Sequence, residues 1–180
     1  MTTSRYDSLI RLYGFENVEK LKEARILVVG AGGIGFGVFL TPCYSYFDLK
    51  FPSGCEILKN LAYIGVSHVE LVDLDTIDVS NLNRQFLFRP EHVGKAKALV
   101  AGDMASKFNS DLRVLAHYDN IKAAKFNIEF ISKFSIVLNA LDNVDARRHV
   151  NRLCLAAQVP LIDSGTTGYL GQVTLTPIGY

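Results

Sequence analysis

A glycine-rich segment that directly follows a short apolar run is the first feature of this sequence that could perform chemistry. The segment reads Gly30-Ala31-Gly32-Gly33-Ile34-Gly35. Glycines let a backbone turn tightly and approach an anion, and the N-terminus of a following helix favours negative charge. The pattern therefore predicts a nucleotide-phosphate site without specifying the nucleotide. The alternative is a glycine turn that only packs a strand against a helix.

An acidic residue stands where such a site needs a ribose ligand. Asp73 ends the apolar stretch His68–Asp73, which reads as a second strand. A carboxylate at this place can accept hydrogen bonds from ribose hydroxyls. Asp75 and Asp78 are alternatives for that role, and a solvated acidic loop is the other interpretation.

The remaining chain alternates between strand and helix patterns. Further strands are predicted at Arg25–Gly30, Ser135–Ala140 and Val159–Asp163, and helices at Tyr6–Glu23, Glu91–Phe108 and Asp145–Gln158. Such alternation implies parallel strands joined by helical crossovers. We predict one domain over residues 1–180 with an α/β, Rossmann-like, doubly wound and mostly parallel sheet, helices on both faces, and a ligand crevice at the carboxyl ends of the strands.

Composition excludes several classes of partner and site. Nineteen basic and eighteen acidic residues give a net charge of +1, so neither nucleic acid nor a membrane surface is expected as a partner. The uncharged stretch 26–47 is as long as a membrane span, but its five glycines and Pro42 argue against a spanning helix. Cys43, Cys55 and Cys154 fit neither a disulfide framework nor a zinc site, which favours a reducing intracellular location, the nucleus or cytoplasm.

Several segments in chain order closely resemble the adenylating domains of the ubiquitin-activating enzyme superfamily, and within it most closely the catalytic subunits of its SUMO-activating branch. The resemblance covers nearly the whole chain except residues 36–54. The segments that carry it are Arg5-Tyr6-Asp7, Asp73–Phe88, Val93–Lys97, Asn139–Asn143, Asn151–Ala157 and Gly165–Gln172.

The resemblance implies ATP and Mg²⁺ as cofactors and adenylation of the C-terminal carboxylate of a SUMO-like modifier. Cations are needed to hold the phosphates and offset charge on the leaving pyrophosphate, and a hard carboxylate oxygen suits Mg²⁺. It assigns the catalytic roles to Arg84, Lys97 and Asp142, with Asp142 beside the metal. The family positions around the nucleotide match Gly30, Ala31, Gly32, Gly33, Ile34, Gly35, Asp73, Asn81, Leu82, Asn83, Arg84, Lys97, Asn120, Ile121, Asp142, Asn143, Val144, Asp145, Ala146 and Arg147.

The same resemblance places the extended tail of the modifier near the segment 165–172. The residues expected there are Gly165, Gly168, Tyr169, Gly171 and Gln172. Small residues would let two backbones approach closely. An ordinary flexible loop is the alternative, just as Arg147, Arg148 and Arg152 could form only a solvated helix face.

An interruption follows the glycine segment. Family members pass directly into a helix, which here reads as Cys55–Ala62, but the nineteen residues 36–54 intervene. Without them the separation of Gly30 and Asp73 falls from 43 to 24 residues, close to the roughly 20 expected. We interpret 36–54 as a translated retained intron, and either Gly35 or Gly54 could be the final glycine of the motif.

Two outcomes are open for the interrupted loop. Ser53 and Glu56 have the spacing of a capping box, so the helix could restart after the interruption and preserve phosphate binding. Alternatively, displacement of the helix N-terminus removes the fixed donors and the dipole that hold phosphate.

Other departures concern later steps and partners. No residue here matches the thioester-forming cysteine of the family, and Cys154 lies among apolar residues of a predicted helix, so we interpret it as core and expect no thioester transfer.

Arg5-Tyr6-Asp7 lacks the second arginine of family members that donate one in trans. A heterodimer with a related smaller subunit is therefore expected. The alternative functions are a non-catalytic partner-binding fragment and a nicotinamide-dependent oxidoreductase, the latter disfavoured by the segment 81–85.

Overall fold

A computed structural model of the chain describes residues 5–32, 54–167 and 170–177. Their centre is a six-stranded sheet in the order β3-β2-β1-β4-β5-β6. The strands are β1 (Arg25–Val29), β2 (His68–Asp73), β3 (Arg113–Tyr118), β4 (Ile136–Asn139), β5 (Leu161–Thr167) and β6 (Leu170–Thr176). Strands β1 to β5 are parallel and β6 runs antiparallel to β5. The predicted mostly parallel sheet is confirmed.

Helices cover both faces of this sheet. They are α1 (Asp7–Tyr13), α2 (Phe15–Glu23), α3 (Gly54–Ile64), α4 (Lys97–Ser106), α5 (Ile128–Ile131) and α6 (Val144–Ala157). Alternate residues of β1 point to opposite faces, as the pleat requires. Ile26 and Val28 join the apolar cluster under α3 and α4, whereas Leu27 and Val29 join the cluster under α5 and α6. The doubly wound Rossmann-like fold is thus the observed architecture.

Two strands were not predicted from the sequence. β3 lies at one edge of the sheet, and its residues 113–118 are half-buried or exposed. β6 lies at the other edge, and every residue from 171 to 175 is exposed. Strands recognised by a buried apolar run are central strands, whereas an edge strand whose residues remain largely exposed need not contain such a run.

The predicted helix Glu91–Phe108 was wrong at its start. Residues 90–92 form a separate 3-10 turn, and α4 begins only at Lys97. Ala96 is extended and forms a β-bridge with Thr76, while the backbone N–H of Lys97 donates to the Asp75 carbonyl at 2.9 Å. This pairing holds 93–96 out of the helix, which apolar spacing alone cannot reveal.

The other boundaries differ less. The predicted helix Tyr6–Glu23 is divided into α1 and α2 at Gly14, and the predicted strand Val159–Asp163 is shifted to Leu161–Thr167. The predicted helix Cys55–Ala62 is confirmed as part of α3. Ser53, the first member of the predicted capping box, lies outside the described residues. No described helix has the length and apolar character needed to cross a membrane.

A buried asparagine attaches the N-terminal segment to helix α3. The Asn109 amide nitrogen donates to the Tyr6 hydroxyl and to the Ala62 carbonyl, both at 3.0 Å, and its oxygen accepts from the Asp111 backbone N–H at 3.1 Å. Asn109 is buried, so each partner would lose a bond that water cannot easily replace. This one side chain therefore links the segment before α1 to the end of α3.

We expect Asn109→Ala to lower the free energy of unfolding by about 1–3 kcal/mol, because it leaves buried polar groups without partners. Urea unfolding followed by circular dichroism measures the change. The control is Ser110→Ala at the neighbouring exposed position, for which a change within about 0.5 kcal/mol is expected. Equal losses in the two variants would contradict this role for Asn109.

Candidate functional site: a cleft at the carboxyl ends of the strands

A cleft of about 410 Å³ opens at the carboxyl ends of β1, β2 and β4. In open parallel sheets, ligands bind at this edge where the strand order reverses, which here is between β1 and β4. The residues of the predicted site that line it are Gly30, Gly32, Asp73, Asn81, Arg84, Lys97, Asn120, Ile121, Asp142, Asn143 and Ala146. Sequence segments separated by up to 116 positions therefore meet at one cleft.

Not every predicted residue reaches the cleft. Ala31, Leu82, Asn83, Val144, Asp145 and Arg147 belong to the same segments but do not line it. Gly33, Ile34, Gly35, Gly168 and Tyr169 lie outside the described residues. Gly165, Gly171 and Gln172 lie on the β5–β6 hairpin, where Gly165 pairs with Gln172 and Thr166 with Gly171. The described part of this segment is thus an antiparallel hairpin and not the ordinary flexible loop that was its alternative interpretation.

Several lining residues were not predicted from the sequence, among them Gln85, Asp119 and Lys122. Asp119 follows β3 directly, and β3 itself was not predicted. Had that strand been recognised, its carboxyl end would have placed Asp119 at this edge. Gln85 is almost fully buried, and its Oε1 has no hydrogen-bond partner among the described residues.

The glycine segment is shaped by its neighbours on both sides. Gly30 has φ +99°, and a Cβ there would lie 2.7 Å from the Ala140 carbonyl oxygen. The Gly30 N–H donates to the Val72 carbonyl at 2.9 Å. Only glycine can combine this backbone angle with this close approach of β4. The start of the loop is therefore fixed between β2 and β4.

Asp73 holds the next residue of the loop. Its Oδ2 accepts the Ala31 backbone N–H at 2.5 Å, and its Oδ1 accepts the Asp75 backbone N–H at 2.7 Å. The residue is only 8% exposed. Burial raises the pKa of the Asp73 carboxyl above its ordinary 3.8, and the two backbone hydrogen bonds oppose that shift. Asp73 thus connects the glycine loop to the segment after β2, in addition to facing the cleft.

Lys97 presents a buried cation at the cleft. The residue is 6% exposed, and its Nζ lies 2.9 Å from Oδ2 of Asp75. Because the lysine is desolvated and its partner carboxylate is half-exposed, an incoming phosphate oxygen would encounter a strongly attractive ammonium group. Lys97 and Asp75 are brought together by the path of the segment 74–96 between β2 and α4, which was not predicted from the sequence.

Arg84 lies on the rim of the cleft with an exposed guanidinium. Its Nη1 donates to the Ser80 carbonyl at 2.8 Å and to Oδ1 of Asn83 at 3.1 Å. The turn before it is closed by two side chains: Oδ1 of Asp78 accepts the Ser80 backbone N–H at 2.8 Å, and Oδ1 of Asn81 accepts the Asp78 backbone N–H at 2.9 Å. The segment 78–84 is thus a pre-ordered turn that directs a cation to the cleft.

The start of α6 supplies the opposite wall. Asn143 caps the helix, its Oδ1 accepting the N–H groups of Asp145 at 2.9 Å and Ala146 at 3.2 Å. Asp142 is exposed beside this cap. Within the described residues, no three His, Cys, Asp or Glu side chains converge as a metal site. Mg²⁺ is usually held by one or two carboxylates together with phosphates, so the exposed Asp142 carboxylate fits that mode.

Arg147 does not line the cleft. Its Nη1 lies 2.6 Å from Oδ1 of Asp163, its Nη2 donates to the Leu141 carbonyl, and a Cβ on Gly165 would lie 3.8 Å from Nη1. It therefore connects α6, the loop after β4 and the β5–β6 hairpin. This is neither the solvated helix face considered from the sequence nor a direct contact with the cleft.

Cys154 is confirmed as a core residue. It is buried in the cluster under α6, and that burial raises the pKa of its thiol to about 12. A thiol with this pKa is protonated at neutral pH and supplies no nucleophilic thiolate.

A larger cavity of about 490 Å³ lies at the opposite, amino ends of β1, β2 and β3. It contains the Arg25–Glu70 ion pair, with Nη2 and Oε1 3.0 Å apart. None of the predicted site residues lies there, and no glycine loop or helix N-terminus of the described chain opens onto it. The smaller cleft is therefore the functional candidate.

We expect Asp73→Asn to destabilise the chain most at low pH. A raised pKa means that folded Asp73 binds more protons than the unfolded chain does, so its contribution to stability is largest below about pH 3.8 and decreases as pH rises through the folded pKa. Asparagine also turns one acceptor into a donor facing a backbone N–H. The loss should be about 1–3 kcal/mol near pH 4 and smaller near pH 7.

Denaturant unfolding of both proteins across this pH range measures the difference. Asp111→Asn, at an exposed position, is the control. A loss of unfolding free energy in Asp73→Asn that grows with pH would contradict the raised pKa of Asp73.

We expect Arg147→Ala to lower the free energy of unfolding by about 1–3 kcal/mol, because Asp163 and the Leu141 carbonyl lose a charged donor. The adjacent exposed Arg148 provides a matched control, and Arg148→Ala should change stability by less than about 0.5 kcal/mol. Thermal unfolding separates the two variants. Similar melting temperatures would show that Arg147 does not hold these elements together.

Comparison with known proteins agrees with the geometry. Residues 53–177 match the ThiF family. The chain is 46% identical over 173 residues to SUMO-activating enzyme subunit 2 of Dictyostelium discoideum, covering 96% of this chain and 23% of that protein. It is 48% identical over 160 residues to SUMO-activating enzyme subunit uba-2 of Caenorhabditis elegans, covering 89% and 24%.

A more distant relative is ubiquitin-like modifier-activating enzyme 6 of Homo sapiens, 39% identical over 177 residues, with coverage of 93% of this chain and 15% of the relative. The chain thus spans about a quarter or less of the curated relatives it matches. Since the family match covers more than half of its residues, the chain belongs to the ThiF family and is homologous to subunit 2 of the SUMO-activating enzymes.

Proposed function

We propose that this chain forms the nucleotide-binding half-site of an enzyme that uses ATP and Mg²⁺ to adenylate the C-terminal carboxylate of a SUMO-like modifier. The observation that carries the proposal is the meeting of the glycine loop, buried Lys97, Arg84 and Asp142 around one cleft. The names of the relatives support the choice of modifier. The reaction would take place in the nucleus or cytoplasm.

The reaction joins the modifier carboxylate to the α-phosphate and releases pyrophosphate. Negative charge accumulates on the leaving pyrophosphate, so fixed cations near it lower the barrier. Lys97 is suited to this task because its ammonium is held in place by Asp75 at 2.9 Å and is shielded from water. Arg84 supplies a second, exposed cation from the rim of the cleft.

Asp142 would hold Mg²⁺ together with phosphate oxygens, and the metal would neutralise charge as pyrophosphate leaves. Asn81, Asn120 and Ile121 would surround the nucleoside, for which Asp73, Asp75 and Asp119 offer carboxylates within the same cleft. Asp73 already accepts two backbone N–H groups. Each carboxylate oxygen retains a second lone pair, so a ribose hydroxyl could add to these bonds.

The modifier tail would reach the cleft along the β5–β6 hairpin. Gly165 and Gly171 lie on this hairpin, and Gly165 is close to Arg147, which bonds to the loop that carries Asp142 and Asn143. Glycines there leave room for a second extended backbone. We further propose that a related smaller subunit pairs with this chain and contributes the arginine that the segment 5–9 lacks.

The direct test is calorimetry of Mg-ATP binding to this chain and to a form without residues 36–54, followed by ATP–pyrophosphate exchange in the presence of the smaller subunit and SUMO. We expect binding to both forms and exchange that requires all three proteins. If neither form binds Mg-ATP while both are folded, the proposed function is wrong.

A point substitution tests the cation. Lys97→Ala should weaken Mg-ATP binding about tenfold and slow exchange by roughly 10²–10³, because it removes a pre-positioned charge from the leaving group. Lys95→Ala is the matched control, since Lys95 is exposed two residues away and does not line the cleft. Unchanged exchange in Lys97→Ala would remove Lys97 from the mechanism.

A further inference from the structure

Two glycines, Gly35 and Gly54, could each be the last glycine of the nucleotide loop, and the sequence does not choose between them. We infer that Gly54 holds this position: it is the residue that lets α3 pack directly on the loop, and phosphate binding depends on it rather than on Gly35. The inference rests on the proposed function for its nucleotide part, and on packing alone for the rest.

The first observation is a backbone hydrogen bond between residues that are far apart in sequence. The Gly54 N–H donates to the Gly32 carbonyl at 3.0 Å, although 22 positions separate them. In an uninterrupted loop followed by a helix, a bond of this kind joins residues only three or four positions apart. Gly54 thus stands where the third glycine of the motif would follow Gly32.

The second observation is the absence of space for a side chain. A Cβ on Gly54 would strike the Gly30 carbonyl oxygen and would lie 2.9 Å from the Ala31 Cα and 3.1 Å from the Gly30 carbonyl carbon. All three are backbone atoms. The third glycine of this motif is needed for close packing of helix on strand. Gly54 meets that requirement, and its neighbours cannot yield by rotating a side chain.

The loop cannot move aside to admit a larger residue. The Gly30 N–H donates to the Val72 carbonyl, and the Ala31 N–H donates to the Asp73 carboxylate at 2.5 Å. The Ala140 carbonyl lies so close to Gly30 that no Cβ fits between them. These contacts come from β2 and β4, which lie on either side of β1. Any added atom at residue 54 must therefore displace the helix.

The helix is held just as firmly on its other side. Cys55, Leu58 and Ala62 of α3 are fully buried in the cluster between α3, α4 and the sheet. The Cys55 thiol also donates to the Ala31 carbonyl at 3.7 Å. Displacing the N-terminus of α3 would disturb this packing and move its free N–H groups away from Gly30 and Gly32, which line the cleft.

The test compares Gly54→Ala with Gly35→Ala in the complete chain. Without nucleotide, Gly54→Ala should lower the melting temperature by at least about 4 °C, as expected for overpacking in a domain of this size, and Gly35→Ala by less than about 1 °C. With nucleotide, Gly54→Ala should weaken Mg-ATP binding about tenfold and adenosine binding much less, since adenosine lacks the phosphates. Gly35→Ala should weaken Mg-ATP binding less than Gly54→Ala does.

Each outcome decides the assignment. A larger effect from Gly35→Ala, or equal effects from the two substitutions, would overturn it. Failure of the unaltered chain to bind Mg-ATP would refute the proposed function, while the melting temperatures would still decide the packing role of Gly54.

Amide hydrogen exchange in the unaltered chain provides a second measurement that needs no variant. The Gly54 amide should be protected because it is bonded to Gly32. Rapid exchange at Gly54 would overturn the inference even if Gly54→Ala failed to fold.

Discussion

The buried carboxylate of Asp73 is the interaction on which the candidate site depends. It accepts one backbone N–H from the glycine loop and one from the segment after β2, so two loops from neighbouring strands share one anchor. An ionised carboxylate in a buried place is costly unless hydrogen bonds compensate for its lost water. Here the compensation is partial, since the pKa of the carboxyl is still raised, and it comes from the backbone N–H groups of the two loops. The same two hydrogen bonds therefore stabilise the buried charge and hold the glycine loop in place.

The other parts of the cleft extend this anchored centre. Lys97 reaches it because a β-bridge between Thr76 and Ala96 fixes where α4 begins, which in turn places the lysine beside Asp75. Arg147 fixes the loop after β4 from behind by bonding to Asp163 and Leu141. The charged groups of the cleft are thus held in place by contacts with neighbouring residues of several elements. Pre-organised charge of this kind is what phosphate chemistry requires of a protein.

The interrupted glycine loop shows how a motif can be completed by tertiary contacts. The hydrogen bond from Gly54 to Gly32, together with the close packing of Gly54 on Gly30 and Ala31, brings the start of α3 to the loop despite 21 intervening residues. A helix needs its N-terminus at the right place and does not need an unbroken sequence before it. The separation between motif residues along the chain is therefore a poor guide to their separation in space.

The sequence by itself determined the central strands, the doubly wound architecture and most of the cleft residues. Buried parallel strands such as β1 and β4 have continuous apolar runs, and glycines after a strand mark a phosphate loop, so local signals suffice there. It did not reveal β3 or β6, because edge strands that remain largely exposed need not contain a buried apolar run, and Asp119 was missed with β3. Only the tertiary structure decided that α4 begins at Lys97, that Arg147 bonds to Asp163 and Leu141 instead of lining the cleft, and that the Gly54 N–H donates to the Gly32 carbonyl. Each of these depends on contacts between residues distant in sequence, which no local pattern encodes.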